Sequence, residues 1–312
     1  MSQHLPQRPD LAPAASVIEA IQACARVLET GDVFFGHGTD NAWDEAVQLV
    51  LFAVGQPPDA PSDVGERPLV AADRERIESL LQRRVHQRIP LPYLTGEAWF
   101  AGLRFACDGR ALVPRSPLAE LVLGDFRPWY AGTGPVSILD LCCGGGAIGI
   151  AAAVQLPRAR VVLSDVDGGA LALASTNVLQ HGVGDRVRTV QGDLFCSLAD
   201  ERFDIILCNP PYVDASDLGS MPAEYAHEPP IGLGAGSDGL DLARRVLNEA
   251  ADHLNPEGLL LLEVGNSWTA LEVAFPRVAF TWVELEAGGH GVLAMQASEL
   301  RESAASLAYT GA

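Results

Sequence analysis

The sequence contains no lysine: its 21 basic residues are all arginines, against 40 acidic residues, for a formal net charge of −19 over 312 residues. The absence of lysine excludes a Walker-type phosphate-binding lysine, a Schiff-base lysine and a pyridoxal-phosphate attachment site. The acidic charge argues against tight binding to nucleic acid, which depends on neutralising phosphates. It favours a basic protein as partner, although acidity also serves solubility alone.

Long apolar runs are also missing, and the first 13 residues are polar and proline-rich. We therefore expect neither a membrane span nor a secretory signal, and we expect a cytoplasmic protein. The cysteines show neither CxxC nor histidine-paired metal spacing, which predicts reduced thiols with no disulfide and no metal site. They are Cys24, Cys107, Cys142, Cys143, Cys196 and Cys208.

The N-terminal part of the chain predicts helices, at 16–30, 42–54 and 71–88, with Asp40 and Asn41 placed to cap the second. Residues 93–113 alternate with glycines in the manner of a β-hairpin. The expected organisation is a helical domain over 1–90, a β-hairpin linker over 91–118, a second domain over 119–301 and a flexible tail over 302–312.

From residue 136 onwards, strand-like segments alternate with helical ones, which predicts an α/β fold with a mostly parallel sheet. The last two strands are separated by only six residues, 286–291, which is too short for a helical crossover, so we expect an antiparallel pair there. The predicted strands are 136–141, 160–165, 187–193, 203–209, 258–264, 279–285 and 292–296.

A glycine-rich loop follows the first of these strands and opens a helix. Gly144, Gly146 and Gly149 match GxGxxG, which is typical of sites for adenosine cofactors, NAD included, although a glycine turn of purely structural role gives the same pattern. Such glycines let the backbone approach a ligand and direct N–H groups towards it. The candidate cofactor-binding residues here are Asp140, Cys142, Cys143, Gly144, Gly145 and Gly146.

Acidic residues follow the next two strands. Asp165 lies where a carboxylate would bind ribose hydroxyls, with Asp167 as a rival, and either could instead cap the following helix. Asp193 and Leu194 close the third strand and are candidates for the adenine edge, or for an ordinary turn.

Asn209, Pro210, Pro211 and Tyr212 directly follow the apolar strand 203–208. The prolines end the strand and fix a turn at its carboxyl end, where open α/β sheets bind ligands. Asn209 Oδ1 and the Pro210 carbonyl could together accept both hydrogens of an –NH2 group, while Tyr212 flanks it with a flat ring. The turn therefore predicts a catalytic grip on a planar amino or amide nitrogen, and Asn209 would also face the cofactor; an ordinary strand-to-loop turn is the alternative.

A glycine loop, an acid and a prolyl turn at one sheet edge resemble the class I S-adenosylmethionine-dependent methyltransferases. The resemblance implies S-adenosylmethionine as cofactor and a Rossmann-like sheet of seven strands whose last strand is antiparallel, and it favours Asp165 for the ribose. Residues 113–120 and 227–240 look like segments of the protein-glutamine N5-methyltransferases, and residues 35–45 look like the branch that modifies ribosomal protein uL3. The implied reaction is methylation of a glutamine amide nitrogen in free uL3, before ribosome assembly.

Three other activities fit parts of the pattern: a release-factor glutamine methyltransferase, a methyltransferase for exocyclic amino groups of nucleic acid, and an NAD-dependent oxidoreductase. The oxidoreductase explains neither the prolyl turn nor the reversed last strand.

Four further polar residues lie in the resembling segments or at a strand end. His37 is a candidate catalytic base that we interpret as a turn residue. Arg115 and Glu120 could clamp the substrate or join the linker to the core, and we favour the second role. Glu263 is either a polar orienter or half of an ion pair.

Overall fold

The computed structural model describes residues 14–132, 134 and 136–308. The chain divides into two compact units: the first comprises Met1–Glu97 together with Pro222–His227, and the second comprises Ala98–Met221 together with Glu228–Ala312. No helix in the described part of the chain is long and apolar enough to cross a membrane.

The first unit is helical and contains the three helices expected from the sequence. Apolar side chains of its first three helices, among them Val17, Leu49 and Ile77, form its core. Asn41 caps the second helix by accepting a hydrogen bond from the Asp44 N–H at 2.9 Å. The helices are α1 (Val17–Thr30), α2 (Ala42–Ala53), α3 (Ala71–Gln87) and α4 (Leu91–Thr95), with 3-10 turns at Ser62–Glu66 and Ala223–His227.

A buried arginine joins three parts of this unit. Arg84 on α3 is 1% exposed, and its guanidinium donates to Glu45 Oε1 on α2 at 2.6 Å and to Glu224 Oε1 at 2.9 Å. It also donates to the carbonyl of Phe34 at 2.6 Å. Glu45 and Glu224 are both buried; Arg84 supplies the compensating charge for Glu45 and shares that role for Glu224 with Arg88, whose Nε lies 3.0 Å from Glu224 Oε1. Glu224 belongs to the short segment 222–227, so this cluster ties that segment to the helices.

Removing the Arg84 charge should strongly destabilise the first unit. We expect Arg84→Met to lower the free energy of unfolding by about 3–5 kcal/mol, because the buried Glu45 loses its charged partner and the buried Glu224 keeps only Arg88. The exposed neighbour supplies the control: Arg83→Met should change stability by no more than about 0.5 kcal/mol. Urea denaturation followed by circular dichroism measures both, and equal midpoints for the two variants would contradict the role of the cluster.

The second unit is built on a seven-stranded sheet in the order β5-β4-β3-β6-β7-β9-β8. Strand β9, the last along the chain, is antiparallel to both neighbours, and the other four adjacent pairs are parallel, which confirms the expected fold class. The hairpin strands are β1 (Glu97–Phe100) and β2 (Leu103–Ala106); the sheet strands are β3 (Ser137–Leu141), β4 (Arg160–Asp165), β5 (Val187–Gln191), β6 (Phe203–Cys208), β7 (Leu254–Glu263), β8 (Thr281–Trp282) and β9 (Val292–Gln296).

Helices cover both faces of this sheet, so its central strands are apolar on both sides. On β6, Ile205 and Leu207 pack into one apolar cluster while Ile206 and Cys208 pack into the other. The helices are α5 (Leu118–Leu123), α6 (Ala147–Gln155), α7 (Gly168–Gln180), α8 (Ala215–Ser220), α9 (Asp241–Glu249), α10 (Trp268–Ala274) and α11 (Ala297–Leu307).

The C-terminal segment differs from the sequence expectation of a flexible tail from residue 302. Helix α11 continues to Leu307 because Leu300 and Leu307 are both buried against the second apolar cluster. A reciprocal capping box between Gln296 and Glu299 starts it. Residues 309–312 of the expected tail lie outside the described residues.

Candidate active site at the carboxyl edge of the sheet

The sheet order brings the ends of β4, β3, β6 and β7 side by side. Leu141 of β3 pairs with Ser164 of β4 on one side and with Cys208 of β6 on the other. The glycine loop and Asn209 therefore begin at adjacent strand ends. Helical connections run in opposite directions from this point, which is where open α/β sheets form their ligand crevices.

The start of α6 is shaped by close packing beneath the glycine loop. Gly146 occupies the N-cap position with a φ of +79°, a conformation that favours glycine. A Cβ on Gly149 would lie 2.4 Å from Leu163 Cδ2, so only glycine lets helix and strand approach this closely. The Gly149 N–H donates to Asp140 Oδ2 at 2.8 Å and fixes the first turn of the helix.

The remaining residues of the loop present backbone to the crevice. Cys142 and Gly144 have φ values of +60° and +53°. A Cβ built on Gly144 meets only Ala111, at 3.7 Å, so this side of the loop is open. Cys143 is buried, and the Gly145 carbonyl accepts from the Asn177 amide at 3.0 Å. These contacts fix the loop while leaving the Gly144 surface accessible to a ligand.

Asp140 lies beneath the loop and is completely buried. Its Oδ1 has no hydrogen-bond partner among the described residues. Burial raises the pKa of Asp140 to about 7, opposed by the Gly149 N–H and reinforced by the charge of Asp165. We expect Asp140 to support the loop and to favour a cationic group above it.

The raised pKa predicts a specific pH dependence of stability. Asp140 binds its proton more tightly in the folded state, so its stabilising contribution is complete below about pH 4 and is lost as pH rises through about 7. Asp140→Asn removes this titration but retains an acceptor for the Gly149 N–H. Relative to that variant, the free energy of unfolding of the unmodified protein should fall by up to about 1.4 kcal/mol per pH unit between pH 5 and 7. Urea unfolding at several pH values measures this, and a constant difference would contradict it.

The two acids proposed for the ribose, Asp165 and Asp167, form different contacts in the structure. Asp165 Oδ2 accepts from the Gly144 N–H at 2.8 Å, which places its half-buried carboxylate against the open part of the loop. Asp167 instead caps α7, accepting from the N–H groups of Gly169 and Ala170. Burial raises the pKa of Asp165, and the Asp167 and Gly144 N–H groups oppose that rise. Asp165 thus remains the candidate for sugar hydroxyls.

The third loop is more exposed than the other two. Asp193 forms a surface ion pair with Arg245 at 2.9 Å, while the side chain of Leu194 is 4% exposed and its backbone has a φ of +50°. Leu194 thus has a buried side chain, and Asp193 has a solvent-exposed partner. A contact of Asp193 or of the Leu194 backbone with an adenine edge stays a prediction.

At the prolyl turn, Asn209 is half-buried and Pro210 is buried. None of the described residues forms a hydrogen bond with the Asn209 side chain or with the Pro210 carbonyl oxygen. Two acceptors at the ligand edge of the sheet are thus available together. Such groups require a polar partner when a ligand covers them.

Tyr212 is held at both ends. Its hydroxyl donates to Glu263 Oε1 at 3.0 Å, and its backbone carbonyl accepts from Ser267 Oγ at 2.9 Å. Its ring lies so close to Gly265 that a Cβ there would approach Tyr212 Cε2 to 2.5 Å. Pro211, between the paired acceptors and this ring, is half-buried. The turn thus carries an ordered aromatic side chain.

Several residues whose roles the sequence left open form defined contacts in the structure. Arg115 forms two 2.6 Å hydrogen bonds to the buried Glu228, and Glu120 accepts from the N–H groups of Glu286 and Ala287. Arg115 thus joins the linker to the core, whereas Glu120, on α5, holds the connection that precedes β9. His37, in the other unit, is 3% exposed and packs at 4.8 Å from the ring of Tyr225.

Sequence reasoning missed the contacts that Glu263 makes with Tyr212 and Ser116. The signal in the sequence is one glutamate ending a run of four leucines, 259–262, in a strand that is buried along this run. Charged residues in such a strand need specific partners. The identity of those partners depends on the packing of segments distant in sequence.

The residues of this edge fit S-adenosylmethionine. The cofactor needs a carboxylate for its ribose, a close-approach loop for its amino-acid part and negative charge for its cationic groups. Asp165, the open backbone of Gly144 and the unpartnered Oδ1 of the buried Asp140 meet these requirements.

Comparisons with known proteins agree with this site. The Methyltransferase small domain family matches residues 133–224, which include the glycine loop and the prolyl turn. Proteins named ribosomal protein uL3 glutamine methyltransferase from Francisella tularensis subsp. tularensis and Xanthomonas campestris pv. campestris are each 44% identical to this chain. The first match covers 88% of this chain and 87% of the relative, and the second covers 91% and 92%. One of the same name from Xylella fastidiosa is 43% identical, over 93% and 94%.

Proposed function

This chain belongs to the family of ribosomal protein uL3 glutamine methyltransferases, S-adenosylmethionine-dependent enzymes, and we propose that it methylates the N5 amide nitrogen of a glutamine in uL3. The observation that carries the catalytic assignment is the pair of acceptors at the edge of the sheet, Asn209 Oδ1 and the Pro210 carbonyl, which have no hydrogen-bond partner among the described residues. A primary amide presents two N–H donors in one plane, which matches this pair. Membership of the family also sets aside nicotinamide chemistry.

An amide nitrogen is a poor nucleophile because its lone pair is delocalised into the carbonyl. Asn209 and Pro210 counter this by accepting both amide hydrogens, which orients the nitrogen and raises its electron density. Tyr212 packs its ring against the amide and excludes water. S-adenosylmethionine supplies an electrophilic methyl group on a sulfonium, and Asp165, Gly144 and the surrounding loop would hold it. Catalysis then comes mainly from positioning.

The acceptor role predicts graded effects of substitution at Asn209. Asn209→Ala should lower kcat with uL3 about a hundredfold, since one aligned acceptor is removed. The affinity for S-adenosylmethionine, measured by calorimetry, should change little, because the backbone loop provides most of that site. Asn209→Asp keeps an acceptor oxygen and should lose less activity than the alanine variant. Near-normal turnover by Asn209→Ala would refute the role of Asn209 as a hydrogen-bond acceptor for the substrate amide.

The charge distribution supports capture of a free, basic substrate protein. Residues 27–66 contain eight carboxylates and no arginine or lysine, and all but Glu45 are exposed. A ribosomal protein that binds RNA carries the opposite charge, so electrostatic attraction speeds its encounter with this surface. In the assembled subunit, RNA phosphates would compete for the same basic groups and repel the acidic enzyme. We therefore propose that uL3 is modified before assembly.

Substrate competition distinguishes the candidate targets. With labelled S-adenosylmethionine, free uL3 should be methylated faster than either intact large subunits or a purified release factor, and mass spectrometry should locate the methyl group on one glutamine. The rate with free uL3 should fall at high salt, since screening weakens the attraction between exposed charges. Preference for intact subunits would contradict capture before assembly, and preference for the release factor would contradict the substrate assignment.

A further inference from the structure

A buried carboxyl group at the end of β7 has no role in the scheme above. Glu263 is 3% exposed and follows four leucines that are buried in the core of the sheet. In the register of β6 and β7, Cys208 pairs with Leu262, so Glu263 lies beside the start of the prolyl turn. Burying a carboxyl group is costly unless hydrogen bonds compensate it, so its partners indicate its role.

Both oxygens of Glu263 accept hydrogen bonds from hydroxyl groups. The Tyr212 hydroxyl donates to Oε1 at 3.0 Å, and Ser116 Oγ donates to Oε2 at 2.5 Å. Ser116 Oγ also accepts from the Leu118 N–H at 3.2 Å, at the beginning of α5. The carboxyl group therefore joins the prolyl turn, the end of β7 and the linker segment.

The alternative of an ordinary ion pair does not describe this group. Among the residues that the structure describes, no basic side chain lies within ion-pair distance of Glu263. Burial raises the pKa of Glu263, while the bonds from Ser116 and Tyr212 and the more distant charge of Arg115 lower it. The compensation for burial is thus mainly directional, from two hydroxyl groups, and one of these belongs to a proposed catalytic residue.

The hydroxyl bond of Tyr212 acts at the far end of the ring, whereas the contacts with Ser267 and Gly265 act elsewhere on the residue. Ser267 holds the backbone carbonyl, and Gly265 lies against one edge of the ring. These contacts fix the backbone of Tyr212 and the distance between its ring and the backbone of Gly265. A hydrogen bond to a carboxylate is stronger than one between neutral groups and has a preferred geometry, so it restrains the far end of the ring.

We propose that Glu263 is a positioning residue: it orients Tyr212 so that the ring holds the substrate amide in the plane defined by Asn209 and Pro210. This inference rests on the proposed function. Glu263 acts through Tyr212 and does not contact the substrate. Its effect is therefore on kcat, through the alignment of the amide, and it disappears when Tyr212 can no longer form the hydrogen bond.

A double-mutant cycle tests this dependence. Glu263→Leu, which leaves no acceptor for the Tyr212 hydroxyl, and Tyr212→Phe should each lower kcat with uL3 about tenfold, the order expected for losing one hydrogen bond to a charged group. The double variant should be no slower than either single variant, because both changes remove the same interaction. Losses that multiply would overturn the proposal, since Glu263 would then act independently of Tyr212. Binding of S-adenosylmethionine should stay unchanged in all three variants.

A spectroscopic measurement distinguishes positioning from a loss of folding. The chain has five tyrosines, so labelling with 3-fluorotyrosine gives five fluorine signals, and Tyr212→Phe identifies the signal of residue 212. Glu263→Leu should shift or broaden that signal alone. The matched control is Glu257→Leu, at an exposed glutamate on the same strand, which should leave both kcat and the five signals unaltered.

The possible failures are distinguishable. If the unmodified enzyme does not methylate uL3, the proposed function is wrong, whereas the fluorine signal still reports whether Glu263 orders Tyr212. If the enzyme is active and Glu263→Leu retains full kcat, the positioning role is wrong. An unchanged Tyr212 signal in that variant would contradict the hydrogen bond itself.

Discussion

The site depends on the adjacency of β4, β3 and β6 at the carboxyl edge of a parallel sheet. Asp165, Gly144 and Asn209 are separated by up to 65 residues in the chain, yet each lies at, or within three residues of, the end of one of three neighbouring strands. Parallel strands place all of their carboxyl ends on one edge, and the reversal of connection direction between β3 and β6 opens a crevice there. No local sequence feature could bring these groups together without that order.

The carboxyl groups at this edge suit a cationic ligand, although burying them lowers the stability of the protein without ligand. Asp140, Asp165 and Glu263 are buried or half-buried carboxyls with raised pKa values, and in each case burial is the main cause. Backbone N–H groups compensate Asp140 and Asp165, and hydroxyls compensate Glu263. Buried carboxyl groups with raised pKa values cluster at functional sites, and burying them lowers the stability of the fold. The first unit differs, since its buried Glu45 and Glu224 form ion pairs with Arg84, and Glu224 also with Arg88.

Much of this architecture could be predicted from the sequence because its signals are local. Apolar runs predicted the strands to within a few residues, glycine spacing indicated the loop, and the short connection at 286–291 indicated the reversed last strand. What could not be predicted depends on long-range packing. Asp167 rather than Asp165 caps α7, Arg84 pairs with a segment 140 residues away, and Glu263 receives hydroxyls from two distant segments. The length of α11 was missed because its polar sequence conceals two buried leucines at helical spacing.

The central claim is that Asn209 Oδ1 and the Pro210 carbonyl accept the two amide hydrogens of the substrate glutamine. A crystal structure of the enzyme with S-adenosylhomocysteine and the glutamine-containing segment of uL3 tests it most directly. We predict that the amide nitrogen lies within hydrogen-bond distance of both oxygens, with the ring of Tyr212 against the amide plane. An amide nitrogen bound away from Asn209, or hydrogen-bonded to neither oxygen, would contradict the account.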